Sequence, residues 1–238
     1  MNIHIHSDFP LIMNPGYMYW AAMKIPGVHI TRAEDADVVI NVDSIHKTGL
    51  KRGKITVYYE HDDMLHRGQN KQFYDVDLLY VTSPHALPFY PNGTKNLLAA
   101  MDPDLHYRWT DVPLMFHLGF LGQERDIPLY EYRRQVLNVL EKNFKLLRSQ
   151  CQPQDYFKFL SQAVMPVNIL PTEGSMPLIN MRFYESLNVG CTLNNYHPCL
   201  DDVADEGVHY VGFRSPEEAV EKARYYLSHE EERERFLK

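Results

Sequence analysis

Short runs of this chain are apolar at consecutive positions rather than at alternate ones. Ala36-Asp-Val-Val-Ile-Asn-Val-Asp43 and Asp77-Leu-Leu-Tyr-Val-Thr82 show this most clearly, Lys54-Ile-Thr-Val-Tyr-Tyr-Glu60 belongs with them, and Asn2-Ile-His-Ile-His6 and Val28-His-Ile-Thr31 are further expected strands. A strand that is apolar on both faces must be covered on both, which is the situation of a parallel sheet layered between helices. A helix is expected over residues 17–24, behind a loop that ends at Gly16. The pattern begins again at Leu114-Met-Phe-His-Leu-Gly-Phe-Leu121. A helix follows over residues 129–143, with Tyr132, Val136, Leu137 and Leu140 on one face. Strands are expected over residues 144–147 and 165–170, a short helix over 156–162, and a helix over 216–229 with Ser215 as N-cap and two glutamates in its first turn.

Between the two series, residues 84–113 hold turn-forming strings such as Tyr90-Pro-Asn-Gly93 and Met101-Asp-Pro-Asp104. The expected architecture is therefore α/β, with two Rossmann-like domains facing across a cleft, residues 1–110 and 111–238. In open α/β sheets ligands bind beyond the carboxyl ends of the strands. The loops leaving the strands are where function is to be sought.

Composition narrows the classes. The chain has 238 residues, 45% hydrophobic and 23% charged, and no apolar run approaches a membrane span. The start, Met-Asn-Ile-His-Ile-His, lacks the basic and apolar regions of a secretion signal, and three cysteines make no disulfide framework, so a cytoplasmic location is expected. A net charge of −7 argues against a protein built to neutralise many nucleic-acid phosphates.

Several loops offer chemistry. Gly119-Phe-Leu-Gly122-Gln-Glu-Arg125 has two glycines that let backbone approach a ligand, with Arg125 as a phosphate partner; an ordinary exposed turn has the same pattern. Glu173 lies in the polar string Thr172-Glu-Gly-Ser175, either beside a reacting group or as a plain loop residue, with Ser175 as a helix N-cap. In the first half the fourth strand runs into Glu60-His-Asp-Asp63, where His61 and Asp62 suit general-base work. The same cluster has the residue types of a metal site, but its spacing fits no standard loop and no metal is expected. Asn14 and Gly16 lie in the loop after the first strand, on the side where an acceptor would be touched.

The most informative segment is Asn180-Met-Arg-Phe-Tyr-Glu185, continued to Gly190. Ile179, Phe183 and Leu187 recur at helical spacing, so a helix buries one stripe, and Gly190 is expected to end it in a left-handed conformation. Arg182 and Glu185 are three residues apart and share a face. A carboxylate suits a ribose diol and a guanidinium a pyrophosphate, whereas a surface ion pair is the plain alternative.

Phe120-Leu-Gly122 with Arg125, then Asn180-Met-Arg-Phe-Tyr-Glu185, Val189-Gly190, Leu200-Asp-Asp202, Val211-Gly-Phe213 and the Tyr225-Tyr-Leu227 helix resemble the CgeB/YkvP-type glycosyltransferase-like family of the GT-B superfamily. The resemblance runs from about Phe116 to the end. It implies a metal-independent glycosyltransferase with a nucleotide sugar, such as a UDP-sugar, as co-substrate and no other cofactor. The second domain would bind the donor, with Asn180 in the motif helix, Glu185 on the ribose, and Gly119, Gly122, Arg125 and Arg182 near the diphosphate. The first domain would bind the acceptor, a glycan, a small molecule or a modified DNA base, with His61, Asp62 and Glu173 as the catalytic candidates. The chain departs from the family in being short, in lacking the usual glutamate pair seven residues apart, and in its ending, which leaves a homo-oligomer among the expected partners. A non-catalytic nucleotide-sugar-binding protein is the remaining reading.

Overall fold

The computed structural model describes residues 1–7, 14–42, 49–60, 71–82, 84–97, 107–150, 155–170 and 179–237. The chain divides into two compact units, Met1–Asp102 and Pro103–Lys238.

The first unit holds β1 (Asn2–His6), α1 (Asn14–Met23), β2 (His29–Ile30), β3 (Val38–Val42), β4 (Ile55–Glu60), β5 (Leu78–Val81) and β6 (Lys95–Asn96). They form one sheet in the order β2-β1-β3-β4-β5-β6, parallel throughout. The consecutive apolar positions of β3, β4 and β5 suit the parallel arrangement. Ile3, Ile5, Val42 and Tyr59 are buried and pack with Ala22 of α1. Asn41 interrupts the apolar run of β3 but is not left wanting. Its Nδ2 donates to Lys51 O at 3.0 Å and Val57 O at 3.2 Å, and its Oδ1 accepts from Lys51 N at 2.8 Å. Asn14 and Gly16 fall in the first turn of α1 rather than in the loop before it, because the helix begins three residues earlier than its apolar pattern suggests.

The second unit holds β7 (Phe116–Leu121), α2 (Glu131–Asn143), β8 (Leu146–Ser149), α3 (Tyr156–Leu160), β9 (Ala163–Asn168), α4 (Met181–Leu187), β10 (Leu193–Asn195), β11 (Val211–Phe213), α5 (Pro216–Ser228) and α6 (Glu230–Glu234). The sheet order is β11-β10-β9-β7-β8, again all parallel. Leu118 and Phe120 of β7, Met165 and Val167 of β9 and Leu193 of β10 form its core with Val136, Leu137 and Leu140 of α2 and Ala219 and Ala223 of α5. Ser215 caps α5 as the sequence predicts, accepting from Glu218 N at 3.1 Å.

Within this sheet β7 has β8 on one side and β9 on the other, so the chain changes direction of travel between β7 and β9. At such a point the loops leaving the two strands turn to opposite faces and open a crevice at their carboxyl ends. The order β2-β1-β3 gives the first unit an equivalent point between β1 and β3.

Candidate functional site

The crevice of the second unit begins at the end of β7. Gly119 is inside the strand, and a Cβ there would meet Ala163 Cβ at 2.7 Å and Leu160 Cδ1 at 3.2 Å. Its lack of a side chain serves the approach of β9 and α3, not of a ligand. Gly122, one residue past the strand, stands differently. A Cβ there would lie 2.8 Å from the tip of the Phe120 ring and 3.5 Å from Arg182 Nε. The strand-end glycine and the helix arginine, sixty residues apart in sequence, are thus brought together.

The loop that follows is held firmly. Arg148 Nε donates to Glu124 Oε1 at 3.0 Å and Oε2 at 2.9 Å, while its Nη1 reaches Asn138 Oδ1 and Glu141 Oε2. Arg125 is exposed beyond this anchor, and its carbonyl accepts from Arg134.

Arg133 was not singled out from the sequence, yet it is the most deeply placed cation of the site. It is 4% exposed. Its Nη1 donates to Gln123 O at 2.7 Å, and its Nε and Nη2 donate to Ile169 O at 3.2 and 2.7 Å. It therefore ties the loop after β7 to the chain leaving β9. Its guanidinium lies over Tyr130, 4.4 Å from the ring centroid, and 5.5 Å from that of Phe120. Burial first, with Arg182 adding to it, pushes its pKa down to about 10, so it stays charged at neutral pH. The signal was present: Arg133, Val136, Leu137 and Leu140 follow the i, i+3, i+4, i+7 spacing of one helix face.

Next to Ile169, Leu170 is fixed by Asn195 at the end of β10. Leu170 N donates to Asn195 Oδ1 at 2.6 Å, and Asn195 Nδ2 donates back to Leu170 O at 3.4 Å. Asn168 Nδ2 donates to Asn194 Oδ1 at 2.6 Å one step behind. Side-chain amides thus fasten the ends of β9 and β10, where they are buried and worth most.

In α4, Asn180 is the N-cap, its side chain accepting from Phe183 N at 3.0 Å. This replaces Ser175 as the cap and gives Asn180 a structural duty. The helix ends at Leu187 with Asn188 as C-cap, and Gly190 is not left-handed, since the turn closes through Gly190 N to Ser186 O at 3.3 Å. Ile179 and Phe183 are buried with Leu170, Cys199 and Tyr210, and Leu187 packs against them, so the apolar stripe is as predicted. Glu185 is 8% exposed, while Arg182 is half-buried and has no ion pair among the described residues. The surface ion pair between these two is not formed.

Asn14 and Gly16 belong to the first turn of α1 in the first unit. His61, Asp62 and Glu173 lie outside the described residues. Glu60, at the end of β4, is fully buried and accepts from Tyr74 Oη at 2.8 Å. Among the described residues no group of three His, Cys, Asp or Glu side chains is placed to hold a metal ion, and no helix is long and apolar enough to cross a membrane.

The sequence profile of the glycosyl transferase-like family matches residues 107–238, more than half of the chain. The protein belongs to that family. No curated protein gives a significant match to the sequence. Among solved structures, the sucrose-phosphate synthase of Thermosynechococcus elongatus superposes with a TM-score of 0.65 at 9% identity, covering 100% of this chain and 92% of that one. The DNA-modifying enzyme β-glucosyltransferase, solved with and without uridine diphosphoglucose, gives 0.60 at 13% identity, over 96% and 89% of the two chains. HepE of Anabaena, in complex with UDP and glucose, gives 0.59 at 9% identity, over 99% and 92%. Likeness at such identities establishes the fold, GT-B with two Rossmann-like α/β units.

Proposed function

We propose that this protein is a glycosyltransferase that moves a sugar from a nucleotide-sugar donor to an acceptor hydroxyl, the second unit binding the donor and the first the acceptor. The observation that carries the reading is the pair of guanidinium groups beside Gly122. Arg182 and Arg133 stand at the point where strand order reverses, and neither has a carboxylate partner among the described residues. Two cations with no carboxylate ion pair among the described residues, next to bare backbone, suit a diphosphate. In this reading Arg182 stabilises the departing diphosphate, a task a metal performs in other transferases, and the reaction needs no metal ion. Glu185 binds the ribose hydroxyls, and His61, Asp62 and Glu173 supply the acid–base chemistry. UDP is the nucleotide we favour, because two of the similar structures were solved with UDP or a UDP-sugar.

A thermal-shift series with UDP, GDP, ADP and TDP, with and without EDTA, tests this. One nucleotide at 100 times its Kd should stabilise the protein by about 2.7 kcal/mol, with EDTA making no difference. Arg182→Gln should then weaken that nucleotide by about 1.5–3 kcal/mol while leaving the unliganded protein nearly as stable. A flat response to every nucleotide would return Arg182 to an ordinary helix-surface role. One relative modifies DNA. The net charge of −7 favours a glycan or small-molecule acceptor for this chain, and a steep salt dependence of duplex binding would reverse that preference.

A further inference from the structure

Arg133 has a cost that a simple brace does not need. Its hydrogen bonds to the backbone end on neutral carbonyl oxygens, of Gln123 and Ile169, its side-chain partner is the Tyr130 hydroxyl, and the Tyr130 and Phe120 rings lie against it. A buried cation is tolerated when an opposite charge or many dipoles compensate it. Among the described residues, Arg182, of the same sign, acts on it against its charge, and Glu124, the acid that acts in its favour, is engaged by Arg148. A glutamine, with two amide N–H donors, would tie two carbonyls together without burying a charge. The arrangement makes physical sense if an anion arrives beside it.

We propose that Arg133 is the positioning residue of the diphosphate site: it holds the two lips of the β7/β9 crevice at fixed spacing and lends them a buried positive charge, while Arg182 makes the contact. This rests on the reading of the second unit as the donor unit. The two tethers explain the position. Gln123 follows Gly122 directly, and Ile169 follows the last residue of β9, so one side chain spans both margins of the crevice. The charge explains the residue type. In a half-buried site a unit charge close to the ligand changes the affinity of a charged ligand by about tenfold or more, and leaves a neutral one almost unaffected.

The expected signature is a loss graded by ligand charge. Binding of UDP, UMP and uridine is to be measured by calorimetry on the full chain and on Arg133→Met, Arg133→Gln and Arg133→Lys. Arg133→Gln keeps amide donors for the carbonyls and serves if Arg133→Met does not fold. The neutral variants should lose about tenfold or more of the affinity for UDP relative to uridine, or relative to UMP where uridine is too weak to measure. Arg133→Lys should recover most of that ratio, with the salt dependence of the parent. A ratio unchanged in both neutral variants, all ligands weakening by the same factor, would make Arg133 a brace only and overturn the proposal. So would a lysine variant no better than the neutral ones. If the parent protein binds none of UDP, GDP, ADP and TDP, the donor reading itself fails, and this proposal with it.

Discussion

Two glycines three residues apart do different work, and a methyl group at each separates them. At Gly119 the added carbon would press on Ala163 and Leu160 in the interior of the second unit. Gly119→Ala should cost about 1–3 kcal/mol of stability through overpacking, and leave nucleotide affinity intact in the folded fraction. At Gly122 the added carbon would press on the Phe120 ring and narrow the space before Arg182. Gly122→Ala should weaken nucleotide binding by more than it lowers the melting temperature. Denaturant titration and calorimetry on the two variants decide the matter, and equal effects at both sites would deny Gly122 a place at the ligand. From the sequence the glycines were indistinguishable, because the distinction lies in what approaches from β9 and α4. Arg133 was hidden for the opposite reason. Its charge made it look like surface, although its place on the Val136, Leu137, Leu140 face of α2 put it inside.

At the scale of elements, what could be read depended on side-chain pattern. β3, β4, β5 and β7 advertise themselves through consecutive apolar residues, and β1 through alternating ones. β6 could not be read, because Lys95–Asn96 is exposed and is held by backbone and by Asn96 Nδ2, which donates to Val81 O at 3.2 Å and Thr82 O at 2.7 Å. β8 begins two residues later than its apolar string, since Phe144 is the C-cap of α2 and the strand's polar end carries Arg148. β11 is three residues long, too short for any period. Its end is secured electrostatically: Arg214 Nη2 and Nη1 reach Glu206 at 2.8 and 3.1 Å, and Lys222 Nζ lies 3.4 Å from the same carboxylate. The hydrogen bond from Arg214 holds the Glu206 carboxyl below its ordinary value of 4.5, with the charges of Arg214 and Lys222 adding to it. A depressed carboxyl stabilises the fold in full above its unfolded pKa and loses that contribution as pH falls through the folded one. The stability gap between the parent and Glu206→Gln should thus be constant from pH 7 to about 5 and close as pH drops below 4.5. A gap independent of pH would mean that shape, not charge, matters at Glu206.

The whole molecule comprises two units, each with a sheet of its own. A nucleotide that binds only the second unit stabilises only what unfolds with it. In scanning calorimetry a saturating nucleotide should therefore raise one transition and leave the other, if the units melt separately, or raise a single transition if they melt together. In hydrogen exchange the protection should concentrate in the strand ends at Leu121, Asn168 and Asn195, and protection confined to the first unit would reverse the assignment of donor and acceptor.

Among the described residues the sheet of the first unit ends on both sides in a strand of two residues, His29–Ile30 and Lys95–Asn96. A neighbour seeking to add itself by strand pairing needs a row of open amide and carbonyl groups, and two residues present too few to seed one. Lysine at one of these borders discourages the approach further. Among the described residues, this fully parallel sheet therefore has flanks that give another chain little to zip onto, which favours side chains over shared backbone for any contact through them.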